Sequence, residues 1–371
     1  MGGVNWRRVT WLAGLLTLAS VAAACQAGGG SPPAGGSAAS APAARPASAG
    51  DGAGDGQGPR AGHGPQVSQG PSAGQALAFP LPTLPVALAP SGPSGLSASF
   101  TLGWYTADNL SYAAARVRAL PVKPRIVNYY LVWGRPFNAA FARAAWADGV
   151  RTFVELEPWA CDTCAEGCDT CAEGRDPRLT SIAGGLYDRY LMAFGQAIKA
   201  FGHPLMVTFG HEMNGPWYPW GDGGSERATP AEWIAAWDHV VAVISGQAPG
   251  LTGWVWSPSV EPGTKPAGPY WPGDQYVDSV GIDGYLRTDT ETYQSVFGAT
   301  VAGFHRLTTR PIWIAETGLY INATTGRRLA AYVTAVKAAG LAGLLYFDRR
   351  PYTLRRADEV SLARALGTAA R

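Results

Sequence analysis

The segment VTFGHEMNGPWYPWG, residues 207–221, shows where a buried strand gives way to a polar turn. A β-branched, apolar run stops at Gly210, and His211, Glu212 and Asn214 follow at once, with three large aromatic rings behind them. A strand that is apolar throughout is typical of a sheet covered on both faces, and such sheets are parallel. The segment therefore predicts a parallel sheet with polar residues at its strand ends.

Similar apolar, β-branched segments recur along the chain, and most are followed by a helical pattern. Together with the first they are 98–104, 125–132, 152–156, 205–209, 253–256, 279–282, 312–315 and 344–347. The clearest helix begins at TPAE, where Thr229 is the N-cap, Pro230 the first helical residue and Glu232 the partner in a capping box. Eight strand–helix repeats predict an α/β fold of the (β/α)₈ TIM barrel type. The alternative, a doubly wound open sheet, would favour a glycine-rich phosphate loop after the first strand, and none is present.

The N-terminal region has a different composition from the rest of the chain. Residues 1–25 have the basic start, apolar run and small residues of an export signal, and Cys25 follows Val-Ala-Ala-Ala as in a lipoprotein signal. We expect a lipid on Cys25 to anchor the exported protein at the cell surface; the alternative is an ordinary secretory signal. Residues 26–92 are mostly Ala, Gly, Ser and Pro, which predicts a disordered linker.

The remaining residues, 93–371, are rich in apolar and aromatic side chains and are predicted to form one catalytic domain. The formal net charge is +2, and the folded part has no basic block, so neither nucleic acid nor a membrane surface is an expected partner. We expect a monomer.

A cysteine-rich heptapeptide occurs twice in succession, as CDTCAEGCDTCAEG at 161–174. Paired C-x-x-C units can hold zinc, but the two pairs here are closer together than in most zinc sites. In an exported protein the thiols more often close into disulfides. We favour a duplicated loop with disulfides and predict no metal site; the four residues are Cys161, Cys164, Cys168 and Cys171.

Active sites in barrels of this type lie at the carboxyl ends of the strands, so the residues there are the candidates. The candidate set is Trp104, Glu157, Trp159, His211, Glu212, Asn214, Trp256, Asp283, Tyr285, Glu316 and Asp348, with Trp217 on the turn after the fourth strand. Acids and aromatic rings dominate this set. Rings stack on the C–H faces of sugars while acids accept hydroxyl hydrogens, so we expect a carbohydrate ligand, in the form of a β-linked polysaccharide or oligosaccharide.

Hydrolysis of a sugar linkage needs two carboxyl groups, one protonated and one ionised. Glu212 and Glu316 end the fourth and seventh strands, where they can approach to the roughly 5 to 5.5 Å that a retaining mechanism requires. We assign Glu212 as the acid/base and Glu316 as the nucleophile, held ionised by hydrogen bonds, with Tyr285 as a donor.

Three alternatives differ in class. A glutamate at the start of a barrel helix is often only a cap, so either acid alone is a weak indication of function. A zinc protease would need a second histidine where Gly215 stands. A carbohydrate-binding lipoprotein without activity would keep the aromatic rings but could lose either acid, and this chain has both.

Four motifs together resemble glycoside hydrolase family 26. They are HEMNGPWYPWG, WVWSP at 254–258, YVDSVGIDGY at 276–285 and WIAETG at 313–318. The resemblance, over roughly residues 95–350, implies a retaining (β/α)₈ barrel of a family best known for endo-β-1,4-mannanases. The hydrolytic chemistry requires no cofactor, and we predict none. The resemblance implies Glu212 as acid/base, Glu316 as nucleophile, His211 near the sugar at the scissile bond, Trp217 at the cleft, Tyr285 orienting the nucleophile and Asp283 supporting it.

Two departures concern specificity. The turn after the third strand is LEPW, with Glu157 and Trp159, and resembles family members that act on β-1,3/1,4-glucans. After the eighth strand, Phe347 and Asp348 stand where a stacking tryptophan is expected. We therefore expect an exported β-1,4-mannan hydrolase, with mixed-linkage glucan as the alternative substrate.

Overall fold

The computed structural model describes residues 100–105, 110–159 and 177–367, with eight parallel strands in these ranges. The strands are β1 (Thr101–Tyr105), β2 (Ile126–Val132), β3 (Arg151–Glu157), β4 (Leu205–Phe209), β5 (Thr252–Trp256), β6 (Ser279–Val280), β7 (Ile314–Thr317) and β8 (Gly343–Phe347). The helices are α1 (Leu110–Ala119), α2 (Ala139–Ala147), α3 (Leu179–Ala183), α4 (Asp188–Phe201), α5 (Pro230–Gln247), α6 (Ala299–Leu307), α7 (Thr325–Ala338) and α8 (Arg356–Ala365). All eight predicted strands are therefore present.

The sheet closes on itself. Its hydrogen-bonded order is β6-β5-β4-β3-β2-β1-β8-β7, and parallel bridges join the two edges at Val280–Ile312 and Asp283–Glu316. The N–H of Trp313 donates to the carbonyl oxygen of Val280 at 2.9 Å, between the same edges. This closure is that of a barrel and excludes the open doubly wound sheet.

The strand pleat divides the apolar side chains into two sets, because successive side chains point to opposite faces. The set inside the cylinder includes Tyr105, Ile126, Phe153, Met206, Val255, Leu345 and Phe347. The set between strands and helices includes Trp104, Val127, Val154, Val207, Trp256 and Leu344. An inward side chain near the carboxyl end of a strand therefore reaches the barrel mouth, whereas its neighbour faces the helices.

Helix α5 begins with the predicted capping box. The hydroxyl oxygen of Thr229 accepts a hydrogen bond from the Glu232 N–H at 3.3 Å, and the Glu232 carboxylate accepts one from the Thr229 N–H at 2.8 Å. Trp233 and Trp237, one turn apart, are fully buried against the barrel. The predicted capping box is thus confirmed, and the helix packs on the barrel through these tryptophans.

Three predictions concern residues outside the described ranges: the signal at 1–25, the linker at 26–92 and the cysteine repeat at 161–174. In the part of the chain that the structure describes, no helix is both long and apolar enough to cross a membrane.

Candidate active site

Glu212 lies on the turn after β4 in an unusual backbone conformation. Its φ angle is 52°, in the left-handed region that costs a residue with a side chain about 1 kcal/mol or more. The turn is held by the Glu212 N–H, which donates to the carbonyl oxygen of Ser257 at 2.7 Å. The carboxylate of Glu212 accepts a hydrogen bond from Trp217 Nε1 at 2.6 Å. This geometry aims a buried carboxyl group at the barrel mouth.

Glu316 lies in β7, where the strand is irregular. The register between β7 and β8 shifts between Ile314 and Thr317. Ala315 is in the inward set, and Glu316 also faces inward, while the Thr317 hydroxyl lies 3.0 Å from that of Tyr332 on α7. Two successive residues thus face the same side, as a β-bulge allows. The bulge turns Glu316 into the barrel mouth.

Two phenol groups donate to Glu316. The Tyr285 hydroxyl bonds to Oε1 and the Tyr130 hydroxyl to Oε2, so each carboxylate oxygen has a donor. Tyr285 was predicted as such a donor and the structure confirms the contact. Tyr130, on β2, was not predicted. Hydrogen bonds to both oxygens stabilise the ionised form of a carboxyl group.

The two glutamates interact electrostatically. Burial, and then the charge of Glu212, raise the pKa of Glu316 to about 8, and the Tyr130 hydrogen bond acts against this. Burial also raises the pKa of Glu212, while the Trp217 hydrogen bond lowers it. The expectation that hydrogen bonds alone hold Glu316 ionised is therefore incomplete, because burial and like charge oppose them. The pair retains one proton near neutral pH.

Two more buried acids lie below this pair. Ser257 Oγ donates to both carboxylate oxygens of Asp283, at 3.0 and 2.9 Å, and Asn128 donates to Glu155. Burial first, and then the charge of Glu316, raise the pKa of both acids well above its usual value. Asp283 was predicted as a supporting residue and is bridged to β7 directly beside Glu316. Glu155 was not predicted.

His211 is buried among polar groups near Glu212. Its Nε2 lies 3.1 Å from the Tyr218 hydroxyl, and its Nδ1 lies 3.9 Å from a Glu155 carboxylate oxygen. Burial lowers the pKa of His211 to about 3, so the ring is neutral at ordinary pH. A neutral ring can accept or donate a hydrogen bond without adding charge to the mouth.

The LEPW turn places Glu157 and Trp159 together. Trp159 Nε1 donates to the Glu157 carboxylate at 3.3 Å. The Trp159 ring meets those of Tyr218 and Trp220 edge-on, with centroids 5.6 and 5.7 Å apart, and is only half-buried. Trp217 is half-buried as well. These two tryptophans are therefore available to a ligand at the mouth.

Three predicted residues face the helices, not the mouth, and their assignment as ligand contacts is corrected. Trp104 is 1% exposed and packs on Tyr346, and Trp256 is fully buried against Trp271. Asp348 accepts hydrogen bonds from Trp104 Nε1 at 3.3 Å and from Arg116 Nε at 2.8 Å. The pleat is the reason, because the inward neighbours at these strand ends include Tyr105, Val255 and Phe347.

Asn214 is corrected for a different reason. Its side-chain amide donates to the carbonyl oxygens of Ser259 and Lys265, at 2.8 and 2.9 Å, and its oxygen accepts from the Ser259 N–H at 2.9 Å. A buried amide with these three partners has little capacity left for a ligand. Asn214 instead ties the turn after β4 to the loop after β5.

The sequence analysis missed Tyr130, Glu155 and Glu261. Tyr130 and Glu155 lie two residues before the ends of β2 and β3, on the inward face, and inward counting could have found them. Glu261 stands in the loop after β5, with no regular pattern to indicate it. Over the described ranges, no three His, Cys, Asp or Glu side chains are arranged to hold a metal ion.

A closed parallel barrel with two coupled carboxyl groups at its mouth is typical of the barrel glycoside hydrolases. The model of glycosyl hydrolase family 26 matches residues 190–318. Endoglucanase H of Acetivibrio thermocellus is 30% identical over 221 residues, which are 56% of this chain and 22% of that protein. The chain is therefore similar to glycosyl hydrolase family 26 over the segment that contains Glu212 and Glu316. It spans about a fifth of the length of that curated relative.

Solved structures agree on the fold. A mannanase from Bacillus subtilis has a TM-score of 0.51 at 17% identity, covering 71% of this chain and 83% of that one. A β-mannanase from Bacteroides ovatus has a TM-score of 0.54 at 15% identity, covering 76% of this chain and 95% of that one. At such identities the likeness concerns the fold alone.

Proposed function

We propose that this chain is a retaining endo-β-glycanase in which Glu212 is the acid/base and Glu316 the nucleophile. The observation that supports this most is the coupled pair: Glu316 accepts hydrogen bonds on both oxygens, whereas Glu212 is held by Trp217. Protonating Glu316 would disrupt a phenol hydrogen bond, so the shared proton belongs on Glu212. That distribution is the one a retaining glycosidase starts from.

The proposed reaction has two steps. Glu212 gives its proton to the leaving glycosidic oxygen while a Glu316 oxygen attacks the anomeric carbon, so the C–O bond to the leaving sugar breaks and an ester bond forms. Glu212, now ionised, takes a proton from water, whose oxygen attacks the same carbon and releases Glu316. Both displacements invert the carbon, and the net result is retention.

The charge of the mouth suits this chemistry. Glu155, Glu157 and Asp283 are each at most 1% exposed and lie at or below the two catalytic acids. The transition state resembles an oxocarbenium ion, and acid oxygens that act as acceptors in a site poor in water favour developing positive charge. A neutral sugar can enter such a site without the repulsion that an anionic sugar would meet.

The proposed substrate is β-1,4-mannan, on the motifs shared with family 26. Mixed-linkage β-1,3/1,4-glucan is the second candidate, and a specific contact favours it: the LEPW turn joins Trp159 to Glu157 at the mouth. The similarity to a protein named Endoglucanase H points the same way.

The test uses residues 93–371 with mannan, barley glucan and carboxymethylcellulose, and measures reducing-sugar release. Wild type should cleave mannan fastest, and a preference for barley glucan would select the second candidate. Glu212→Ala and Glu316→Ala should each lose most turnover. With azide and an activated aryl glycoside, Glu212→Ala should form a β-glycosyl azide and Glu316→Ala an α-glycosyl azide. Equal activity of all three proteins on every polymer would refute the proposal that this chain is a glycanase.

The location and oligomeric state are part of the proposal. We propose a monomer anchored at the cell surface through a lipid on Cys25, supported by the signal-like sequence before it. In the full chain, Cys25→Ser should move the protein from the membrane fraction to the soluble one. An unchanged distribution would contradict the anchor.

A further inference from the structure

An ion pair joins the loops that follow β5 and β6. Glu261 and Arg287 form it, through carboxylate Oε2 and guanidinium Nη2. The other carboxylate oxygen of Glu261 accepts a hydrogen bond from the backbone N–H of Tyr285 at 2.8 Å. Glu261 is 7% exposed and Arg287 about one-quarter exposed. The pair is therefore largely enclosed and directly attached to Tyr285.

Tyr285 is also held by its ring. The guanidinium carbon of Arg287 lies 5.9 Å from the ring centroid, a cation–π distance. The Tyr352 ring stacks on the same tyrosine, with centroids 4.5 Å apart and planes at 21°. Backbone and ring are thus both fixed, and the only polar atom of the side chain donates to Glu316. A shift of Glu261 or Arg287 would be transmitted to the nucleophile.

The loop that carries Glu261 is anchored in turn. Asn214 binds it through Ser259, and the Ser259 hydroxyl accepts a hydrogen bond from the Glu261 N–H at 3.2 Å. The turn that bears Glu212 thus holds the loop that bears Glu261. The ion pair is therefore connected to the turn of the acid/base and, through Tyr285, to the nucleophile.

We infer that Glu261 and Arg287 are positioning residues that fix Tyr285 against Glu316 and set the electrical potential at the carboxyl pair. The inference rests on the proposed function and extends it to two residues that make no bond to the reacting atoms.

The two partners act on the carboxyl pair with opposite signs. Arg287 lowers the pKa of Glu212, after the larger effects of burial and hydrogen bonds, whereas the charges of Glu261 and Glu212 oppose each other's ionisation. Burial raises the pKa of Glu261 itself to about 8, so its charge acts on the alkaline limb. The other groups facing the pair are Glu291, whose carboxylate accepts the Arg287 N–H, and the Tyr352 phenol. Removing one partner should therefore shift the titration in one direction, and removing the other should shift it oppositely.

The experiment compares Arg287→Met, Glu261→Gln and the double variant by pH profiles of kcat and KM on an aryl oligosaccharide. Arg287→Met should move the alkaline limb up by about half a pH unit or more, and Glu261→Gln should move it down by a similar amount. The double variant should fall between them. Each should lower kcat about 10-fold and change KM less than about threefold, because the defect lies in the transition state. Arg287→Lys should restore the wild-type limb.

A matched control is the neighbouring ion pair of Arg328 and Asp289, 3.2 Å apart, with Asp289 largely exposed. Asp289→Asn should leave the profile unchanged. Shifts of the same sign in Arg287→Met and Glu261→Gln, or no shift in either, would overturn the inference. If Arg287→Met does not fold, Glu261→Gln decides alone, since glutamine keeps the acceptor for the Tyr285 N–H.

Titration of ¹³C-labelled glutamate carboxyl groups by NMR separates this inference from the proposed function. The same opposite shifts should appear in the Glu212 and Glu316 resonances without any substrate. Shifts in the NMR titration with no hydrolysis of any glycan would refute the proposed function but support the role of the Glu261–Arg287 pair. Hydrolysis without these shifts would support the proposed function and refute the role of the pair.

Discussion

Strands β7 and β8 are neighbours in the barrel, and a buried acid stands at the carboxyl end of each. Glu316 is turned into the mouth by the bulge in β7, and the hydroxyls of Tyr130 and Tyr285 donate to it. Asp348 follows the regular pleat of β8 outward, and Arg116 pairs with it. The two side chains are similarly buried, at 4% exposed each.

The difference between these acids lies in what compensates the charge. Asp348 also accepts a backbone N–H from Leu354 at 2.9 Å, and its interactions tie α1 to the loop after β8. Among the residues that the structure describes, no Lys or Arg side chain pairs with the Glu316 carboxylate, and the nearby Glu212 opposes its ionisation. An acid paired with a cation helps to hold the fold together, whereas an acid without one remains available for chemistry.

The largest effect should come from Glu316→Gln. We expect turnover to fall by about 10³-fold or more, because the amide cannot attack the anomeric carbon. The free energy of unfolding near neutral pH should stay equal or rise, because a buried charge is removed. Turnover on the aryl oligosaccharide and denaturant unfolding measure the two. Residual activity above about a tenth of wild type would contradict the assignment.

Asp348→Asn should show the opposite pattern. The change leaves the Arg116 guanidinium without one carboxylate partner, so we expect the free energy of unfolding to fall by about 2 to 4 kcal/mol. Turnover per folded molecule should stay within about threefold of wild type, because the side chain faces α1. An Asp348→Asn variant that is as stable as wild type but inactive would contradict a structural role for Asp348.

Tyr130→Phe and Tyr129→Phe make the same comparison between an inward and an outward side chain of one strand, β2. The first change removes a donor to Glu316, so kcat should fall about 10-fold and the acid limb of the pH profile should move up, since this hydrogen bond lowers the pKa of Glu316. Its neighbour Tyr129 faces outward and accepts the Asn138 N–H at 3.2 Å. Tyr129→Phe should cost about 1 kcal/mol of stability and leave the limb in place.

The smallest effect concerns stability against pH. A carboxyl group whose pKa is raised in the folded state stabilises the fold fully below its unfolded pKa, and this stability is lost as pH rises through the folded pKa. The proton that Glu212 and Glu316 share is such a case, and its window runs from 4.5 to about 8. The free energy of unfolding should therefore fall from about pH 5 to pH 8, by about 1 kcal/mol per pH unit for each such group.

Glu155→Gln should make this slope shallower, because the buried charge is gone while Asn128 keeps an acceptor. Glu232→Gln, in the exposed capping box of α5, is the control and should leave the slope as it is. Denaturant unfolding across the pH range measures both. An equal slope in Glu155→Gln and wild type would show that Glu155 is not the source of the dependence.

The fold was predictable because most strands are nearly continuous apolar runs and the helix α5 has a clear start signal. Glu212, Glu316 and Tyr285 were predictable because parallel strands bring their ends to one mouth. The outward orientation of Trp104, Trp256 and Asp348 was not predicted, because a list of residues at strand ends ignores the alternation of side chains along each strand.

Counting the pleat would have corrected Trp104 and Trp256, because Tyr105 and Val255 occupy the inward positions. The same count would have predicted, wrongly, that Glu316 faces outward, because nothing in IAETG indicates a bulge. The ion pair of Glu261 and Arg287 depends on two loops that meet only in the folded chain. Local sequence carries no signal for such a meeting.

The left-handed backbone at Glu212 has a consequence for evolution and engineering. Glycine or asparagine at that position would relieve the unfavourable φ angle. Selection for thermal tolerance alone should therefore favour variants that are more stable but inactive. A library screened only for heat resistance should therefore enrich such replacements, and a screen that also demands turnover should exclude them. The unfavourable backbone conformation in the turn after β4 should therefore persist only under selection for activity.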